Sequence, residues 1–373
     1  MARRESWRRW SLVAAAVAVL LVTPVVVAAL PVRVEQVEPA RLRELITGST
    51  GQAYHGYAET AASLGVPELP NLGDVTSLLN GTTRIRAWYG SAERWRFDVL
   101  TAGGERDVYR TPDGEYIWDY AANLLTRFVG DPPLRLPRAG DLLPPELARR
   151  ALLAAPGEPV AMLPPRRVAG VAAAGVRLRP ADPDTAVASV DIWADPATGL
   201  PVRVELTALG ASRPVLVSRF LDLTIGPPPA GVLTPAHPPG SGLAVVAAPD
   251  LAAALGALGR GSMPARLAGR QAQDVPVASL RTAGLYGTGL SAFVALPLPG
   301  EVGASASDAA RSAGATFLDL PGGSGELVTI APLSLVVVRS VGARRWFLLA
   351  GLVVPEVLKR AAAELSVRPG GYR

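Results

Sequence analysis

The sequence contains no cysteine, and its 373 residues include only two histidines. The lack of cysteine excludes disulfides, thiol nucleophiles and cysteine-bound zinc or iron–sulfur sites. It also excludes membrane attachment through a lipid-modified N-terminal cysteine. The two histidines, His55 and His237, are far apart in sequence, so no His-rich metal site is expected. We therefore predict no metal and no cofactor.

Positive charge is concentrated at the N terminus. The first ten residues hold four arginines and one glutamate, which account for +3 of the formal net charge of +5. The remaining 363 residues are almost neutral, so the excess of arginine does not indicate a basic binding face. We do not expect nucleic acid as a partner.

A long uncharged run follows the basic residues 1–10. Ser11 to Leu30 contains 20 residues without a charge. A run of about 20 apolar residues can cross a bilayer, whereas the apolar core of a cleavable signal peptide has about 7–15. This favours a signal anchor at 11–30, with cleavage near Val27-Ala28-Ala29 as the alternative. The preceding arginines place residues 31–373 outside the cytoplasm, either anchored to the cytoplasmic membrane by one helix or secreted.

The exported part has the pattern of two domains rich in β-strands. A helix is predicted from Pro39 to Thr47, and another over 146–154 after two prolines. Period-two alternation predicts strands at 53–61, 82–89, 94–101, 105–111, 115–120, 124–129, 187–193 and 201–208. The first domain is assigned to 31–225 and a Pro/Gly-rich linker to 226–242. A smaller α+β domain at 243–373 is predicted to contain helices near 249–258 and 355–365 and strands at 275–281, 290–296, 326–330, 333–340 and 345–352.

Motifs for catalysis are weak in this sequence. The glycine cluster 322–325 lacks the residues of a phosphate-binding loop, so a hairpin turn is predicted there. Asp182-Pro183-Asp184 is interpreted as a solvated turn rather than a calcium loop. His55 has no identifiable nucleophile or orienting acid nearby in sequence. We predict a protein that is not an enzyme; an esterase or a glycosidase with paired carboxylates is an alternative without positive support.

Aromatic residues are concentrated between residues 88 and 128 of a chain in which they make up only 6%. A sheet core would account for many of them, because aromatic residues favour strands. The alternative is a sheet face that stays partly uncovered and binds an apolar ligand. The candidates for such a lipid cavity are Trp88, Trp95, Phe97, Val99, Trp118 and Phe128. Alternation places Trp95, Phe97 and Val99 on one face.

Residues 63–80 form a long segment that is rich in leucine and interrupted by proline and glycine. Because loops are normally polar, an apolar loop of this length either packs on its own domain or covers a cavity. We predict a flap at the cavity mouth. Its candidate residues are Val66, Leu69, Leu72, Leu78 and Leu79.

Four stretches of the exported part resemble the RseB/MucB regulators of envelope-stress signalling and, in the first domain, the wider LolA/LolB lipoprotein-carrier superfamily. The stretches are 53–58, 91–98, 190–203, and 286–293 together with 345–352 and the helix after Pro355. This resemblance implies an α+β fold: an unclosed, curved antiparallel β-sheet wrapped around helices, plus a smaller α+β C-terminal domain like that of RseB.

The resemblance also implies a cavity that binds an acyl chain or lipid moiety, and an anti-sigma-like membrane protein as a partner. We predict a non-enzymatic, lipid-binding regulator or sensor of envelope stress. Two alternatives stay open: a LolA-like protein that handles lipids or lipoproteins at the membrane, and an exported module that binds only proteins. The predicted anchor and the insertion at 63–80 depart from the family pattern. An anchored chain could not carry cargo across a wide gap, which argues against a shuttle.

Overall fold

The computed structural model describes residues 32, 34–66, 73–101, 104–229, 231–258, 263–274, 282–342 and 344–367. The basic segment 1–10, the proposed anchor 11–30 and the predicted strand 275–281 lie outside these ranges. No helix within them is long and apolar enough to cross a membrane.

Twelve strands form the first and larger sheet. They are β1 (Tyr54–Ser63), β2 (Asn80–Ser91), β3 (Arg94–Thr101), β4 (Gly104–Thr111), β5 (Gly114–Asp119), β6 (Leu124–Val129), β7 (Val160–Val168), β8 (Val171–Leu178), β9 (Val187–Ala194), β10 (Pro201–Ala208), β11 (Leu216–Ile225) and β12 (Gly242–Ala247). Their order is β12-β6-β5-β4-β3-β2-β1-β11-β10-β9-β8-β7. Two antiparallel meanders are thus joined by the pairing of β1 with β11, and the sheet stays open between β12 and β7.

In the part of the chain that the structure describes, three helices accompany the first sheet: α1 (Pro39–Gly48), α2 (Gly73–Leu79) and α3 (Pro144–Ala154). Two prolines open α3, where their missing N–H groups cost nothing. Its last carbonyls accept hydrogen bonds from Arg43 of α1, including one of 3.0 Å at Leu152. Leu42 of α1 and Leu152 of α3 are buried against the strands β8–β10, so both helices cover one face of the sheet.

The turn between β9 and β10 depends on two residues, Asp195 and Gly199. The Asp195 carboxylate accepts hydrogen bonds from the backbone N–H and the hydroxyl of Thr198, at 3.0 and 2.6 Å. Gly199 has a φ of +72°, and a β-carbon there would lie 2.3 Å from the carbonyl oxygen of Leu45. Only glycine fits this turn against α1.

The second unit is an eight-stranded antiparallel sheet with helices. Helix α4 (Leu251–Leu258) lies between the two sheets in the chain, and its first residue donates a backbone hydrogen bond to the carbonyl of Leu134. The elements of the second unit are β13 (Arg266–Leu267), β14 (Arg270–Gln273), β15 (Gly284–Tyr286), β16 (Phe293–Leu298), α5 (Gly300–Ser312), β17 (Thr316–Leu320), β18 (Gly323–Ile330), β19 (Leu333–Ser340), β20 (Arg345–Gly351) and α6 (Pro355–Val367). The strand order is β13-β14-β15-β16-β20-β19-β18-β17. Leu358 and Leu365 of α6 pack on Phe293 and Val336 in its core.

This architecture confirms the predicted α+β fold class with an unclosed antiparallel sheet. The structure differs at the predicted start of the second domain, residue 243. Gly242–Ala247 is strand β12, which pairs in parallel with β6 and so extends the first sheet. The prolines at 227–229 and 238–239 do interrupt regular structure, but the chain then returns to the first sheet before it enters the second.

Asp182 and Asp184 connect the two units, although the sequence suggested a solvated turn there. Both carboxylates accept hydrogen bonds from Arg270 of β14, at 3.2 and 2.9 Å. The hydroxyl of Ser291 also donates to Asp182. Burial would raise the pKa of Asp182, but Ser291, the backbone N–H of Asp184 and the Arg270 charge hold it below its usual range. Next to them, Thr185 forms a bridge with Val353.

Candidate functional site

A cavity of about 230 Å³ lies between the first sheet and the segment that leads into α3. Strands β1 to β4 form one wall, and residues 135–149 form the other. We call the side of the sheet that faces this segment the helix side, and the opposite side the outer face. Small-molecule sites typically measure about 300–1,000 Å³. The cavity is therefore smaller than a typical small-molecule site and could enclose only a small guest or part of a larger one.

The sheet wall of the cavity is aromatic and aliphatic. Trp95, Phe97 and Val99 alternate along β3 and therefore point to the same side. Tyr89 of β2 is the cross-strand partner of Trp95, and Val108 of β4 is the partner of Phe97. Cross-strand neighbours on one face lie close enough to pack, so these side chains form one continuous apolar surface.

Tyr54 and Tyr89 extend this wall toward β1. Their rings stack with centroids 5.2 Å apart, and Phe220 of β11 packs edge-on against Tyr54 at 5.5 Å. Burial raises the pKa of both phenols. The hydroxyl of Tyr89 donates a 2.7 Å hydrogen bond to the carbonyl of Thr50. Both rings are thus neutral and contribute apolar surface to the cavity.

The opposite wall is fixed to the sheet by buried hydrogen bonds. The carbonyl oxygen of Leu142 accepts from the hydroxyls of Thr60, at 3.1 Å, and Ser218, at 2.6 Å. Nearby, Gly140 lies against Phe97, so close that a β-carbon at residue 140 would be 2.5 Å from the ring. Buried polar groups are almost always hydrogen-bonded, so these contacts set the distance between residues 140–142 and the sheet.

Charged side chains line the rest of the cavity, and each has an opposite partner. The guanidinium of Arg135 donates two hydrogen bonds to the carboxylate of Asp141, at 2.7 and 2.8 Å. Arg149 pairs with Glu146 at 2.6 Å, and Arg138 pairs with Glu115. The charges of the lining are therefore internally balanced, which leaves its apolar surface as the main source of binding energy.

Asp141 is the centre of this charged wall. Burial by itself would raise the pKa of Asp141, but the hydrogen bonds and charge of Arg135 hold it below its usual range. The backbone N–H of Arg138, at 2.7 Å, and the charge of Arg150 act in the same direction. The carboxylate thus stays ionised and keeps the loop 135–143 in one conformation.

Among the described residues that line the cavity there is no histidine, serine, threonine or cysteine. The acidic groups among the described lining residues, Asp141 and Glu146, are both held in ion pairs with arginine. This arrangement offers packing and hydrogen bonding to a guest molecule but no activated nucleophile.

Of the six residues predicted for the cavity, Trp95, Phe97 and Val99 line it. Trp88 and Trp118 do not line the cavity, because both side chains lie on the outer face of the sheet. Trp88 is the cross-strand partner of Arg96, and Trp118 is the partner of Asp107. Aromatic enrichment located the strands but could not separate their two faces.

Phe128 of β6 is on the helix side, since it pairs with Glu115, but it lies beyond the cavity lining.

The predicted flap also differs from the structure. Val66 and Leu78 lie outside the cavity lining: Asn80 holds Val66 through its side chain, and Leu78 packs on the core of its own unit. Leu79 ends α2 and is likewise outside the lining. Leu69 and Leu72 lie outside the described residues.

The outer face holds a second cluster, built around Arg96. Its guanidinium pairs with Asp98 at 2.6 Å and with Asp107 at 2.9 Å. It also lies 5.0 Å from the ring centroids of Trp88 and Tyr109, a cation–π distance. Both aspartates are only 1% exposed. Burial raises the pKa of Asp98 to about 7 despite the hydrogen bond and charge of Arg96, and burial raises that of Asp107 as well.

Carboxylate oxygens of Asp98, Glu105 and Asp107 come within 4.8 Å of one another, which is the spacing of a cation site. Arginine side chains provide the positive charge at these carboxylates, because Arg96 pairs with both aspartates and Arg86 pairs with Glu105 at 3.4 Å. The cluster is therefore understood as an ion-pair network on the sheet.

Sequence reasoning missed the charged wall and the two tyrosines. Arg135, Arg138 and Asp141 lie in a proline-rich connection with no periodic pattern, so nothing local shows which strand they approach. Tyr54 and Tyr89 carried a weak signal: both lie in predicted strands, and the register of β1 with β2 places them opposite each other.

No family model matches the sequence, and none of the curated proteins matches it. Among solved structures, the chain is similar to MucB in complex with MucA(peri), with 15% identity over 90% of this chain and 100% of that chain and a TM-score of 0.49. It is also similar to the Pseudomonas aeruginosa MucA/MucB complex, with 17% identity over 89% and 98% and a TM-score of 0.48. A LolA superfamily protein from Nitrosomonas europaea matches 54% of this chain and 99% of its own, with 13% identity and a TM-score of 0.24.

Proposed function

We propose that this protein is a non-enzymatic binding protein that takes an acyl chain into the cavity beneath Trp95 and Phe97. The supporting observation is the cavity itself. One of its walls is aromatic and aliphatic, and the charged side chains of the other wall are paired with opposite charges. Each buried methylene of a chain contributes about 0.8 kcal/mol. About five or six methylenes would therefore contribute about 4–5 kcal/mol, which corresponds to a dissociation constant of roughly a few hundred micromolar to a millimolar before the cost of association is subtracted.

The proposed role is that of a lipid-sensing regulator outside the cytoplasm, in accord with the N-terminal sequence and the RseB/MucB-like stretches. Occupancy of the cavity would be signalled to an anti-sigma-like membrane protein. The solved complex of MucB with MucA(peri) provides the class of partner to test, while the binding proposal depends on the cavity alone.

Mass spectrometry of residues 31–373, purified without detergent, tests the lipid part of this function. With an excess of added fatty acid, we expect native spectra to show one acyl chain bound per protein, and a Val99→Trp variant, which fills the cavity, should lose it. If the wild-type protein carries no acyl species and binds no added fatty acid, the lipid function is wrong. In that case, capture of an anti-sigma-like periplasmic segment by the same sample would favour the alternative of a module that binds only proteins.

A further inference from the structure

The two ends of the first sheet, β12 and β7, are protected to different degrees. An open strand edge presents unpaired N–H and C=O groups, and proteins usually blunt it with proline, charge or irregular register. Strand β7 has all three: Pro164 and Pro165 lie in its middle, two arginines follow, and its register shifts after Leu163. Strand β12 has the sequence Gly-Leu-Ala-Val-Val-Ala and contains none of these features.

The side chains of β12 are exposed on both faces of the sheet. Leu243 is 57% exposed and Val245 is 60% exposed, and both lie on the outer face because their partners in β6 are Leu125 and Arg127. Val246 is 40% exposed and lies on the helix side, where its partner is Phe128. An added strand would therefore find apolar neighbours on either face.

The backbone of β12 leaves every second residue open. Gly242 donates to the carbonyl of Asn123 at 3.0 Å, and Ala248 donates to Val129 at 2.8 Å. In a parallel ladder the bonded residues alternate, so the N–H and C=O groups of Leu243, Val245 and Ala247 point away from β6. No residue in the part of the chain that the structure describes bonds to them. The open edge thus offers three donors and three acceptors in a row.

We propose that β12 is the docking site for an extended, apolar segment of a partner polypeptide, which binds as a thirteenth strand. Another extended backbone matches a row of alternating donors and acceptors, which a lipid chain does not carry. The edge contains no charge, so the segment that pairs with it is expected to be uncharged and rich in β-branched residues. This inference does not depend on the cavity.

A random octapeptide display library, selected on the full-length protein in lipid nanodiscs, tests the proposal. We expect it to yield extended sequences with alternating β-branched residues. Val245→Pro removes one outward N–H group and leaves the pairing with β6 intact, so it should weaken the selected peptides at least tenfold. Val245→Thr keeps the N–H group and the branched side chain and should bind them within about twofold. Peptides N-methylated at alternate amides should not bind.

Three results would overturn the proposal. The first is a library that yields no peptide sensitive to Val245→Pro or, should that variant misfold, to Val245→Lys. The second is equal binding of the N-methylated peptides. The third is a dimer of the protein itself that Val245→Pro dissociates, which would assign the edge to a second copy. Because none of these variants touches the cavity, acyl-chain binding should be unchanged in all of them, and failure of one proposal is thus distinguished from failure of the other.

Discussion

The indole of Trp95 lies parallel to the ring of Phe97, with their centroids 4.4 Å apart and their planes at 13°. The two residues are separated by one position on β3, so they share a face and form the floor of the cavity. Stacked aromatic pairs contribute about 0.5–1.5 kcal/mol beyond the area that they bury. The stacking therefore favours the observed positions of both rings on the cavity floor.

Replacement of Trp95 by alanine should weaken binding of a fluorescent fatty acid. Loss of a large apolar contact costs about 1.5–3 kcal/mol, which corresponds to a decrease in affinity of roughly tenfold or more. Fluorescence titration measures the change. Trp88→Ala is the matched control, since Trp88 lies on the outer face and should leave the affinity within about twofold. Equal losses in the two variants would contradict the placement of the site.

Gly140→Ala should disturb the cavity from its other wall. The new β-carbon would lie 2.5 Å from the Phe97 ring, so either the ring or the loop must move. Overpacking of this kind costs about 1–3 kcal/mol. We expect a lower melting temperature and weaker fatty-acid binding. Gly157→Ala is the control, because no atom lies within 4 Å of its β-carbon position, and its melting temperature should stay close to that of the wild type.

Stability should depend on pH through Asp98. The pKa of this carboxyl is about 7 in the folded chain and near 4 in an unfolded one, because burial disfavours its charge. The folded state then binds the extra proton, so this contribution is fully present below about pH 4 and is lost as the pH rises to about 7. Asp98→Asn should flatten that part of the curve of unfolding free energy against pH, measured by urea denaturation. An unchanged slope would show that Asp98 does not titrate in this range.

The contact between the two units should weaken in Arg270→Met. This change leaves Asp182 and Asp184 without their shared cation, and since each is about a third exposed we expect a loss of about 1–2 kcal/mol. Hydrogen exchange at residues 182–186 should become faster. Arg311→Met removes an exposed ion pair with Asp308 and should change stability by less than about 0.5 kcal/mol. Equal exchange rates in the two variants would show that Arg270 does not hold the units together.

Much of the first sheet follows from local pattern. Alternation in Arg94–Thr101 predicted both the strand and the shared face of Trp95 and Phe97, and that prediction agrees with the structure because successive side chains of a strand point to opposite faces. The two strands that meet at Asp195–Gly199 were predicted in the same way, and the turn between them is held by local hydrogen bonds. Helix α5 was missed, because its alanine, serine and glycine residues give a weak apolar stripe.

The features that differ from the prediction depend on contacts between residues that are far apart in the sequence. Strand β12 follows a proline-rich stretch, and its parallel pairing with β6, more than 110 residues earlier, has no local signature. The pairing of Asp182 with Arg270 likewise joins residues 88 positions apart. Trp118 was assigned to the cavity because its strand was recognised while the register that turns it outward was not.

Photo-crosslinking with a diazirine-bearing myristic acid tests the central claim most directly, because it reports where the chain lies. After illumination and digestion, we expect the label on peptides that contain Trp95, Phe97 or Val99 and on the facing segment with Leu143, and an excess of unlabelled myristic acid should remove it. Labelling confined to the outer face near Trp88 and Trp118, or labelling that does not compete, would contradict the account.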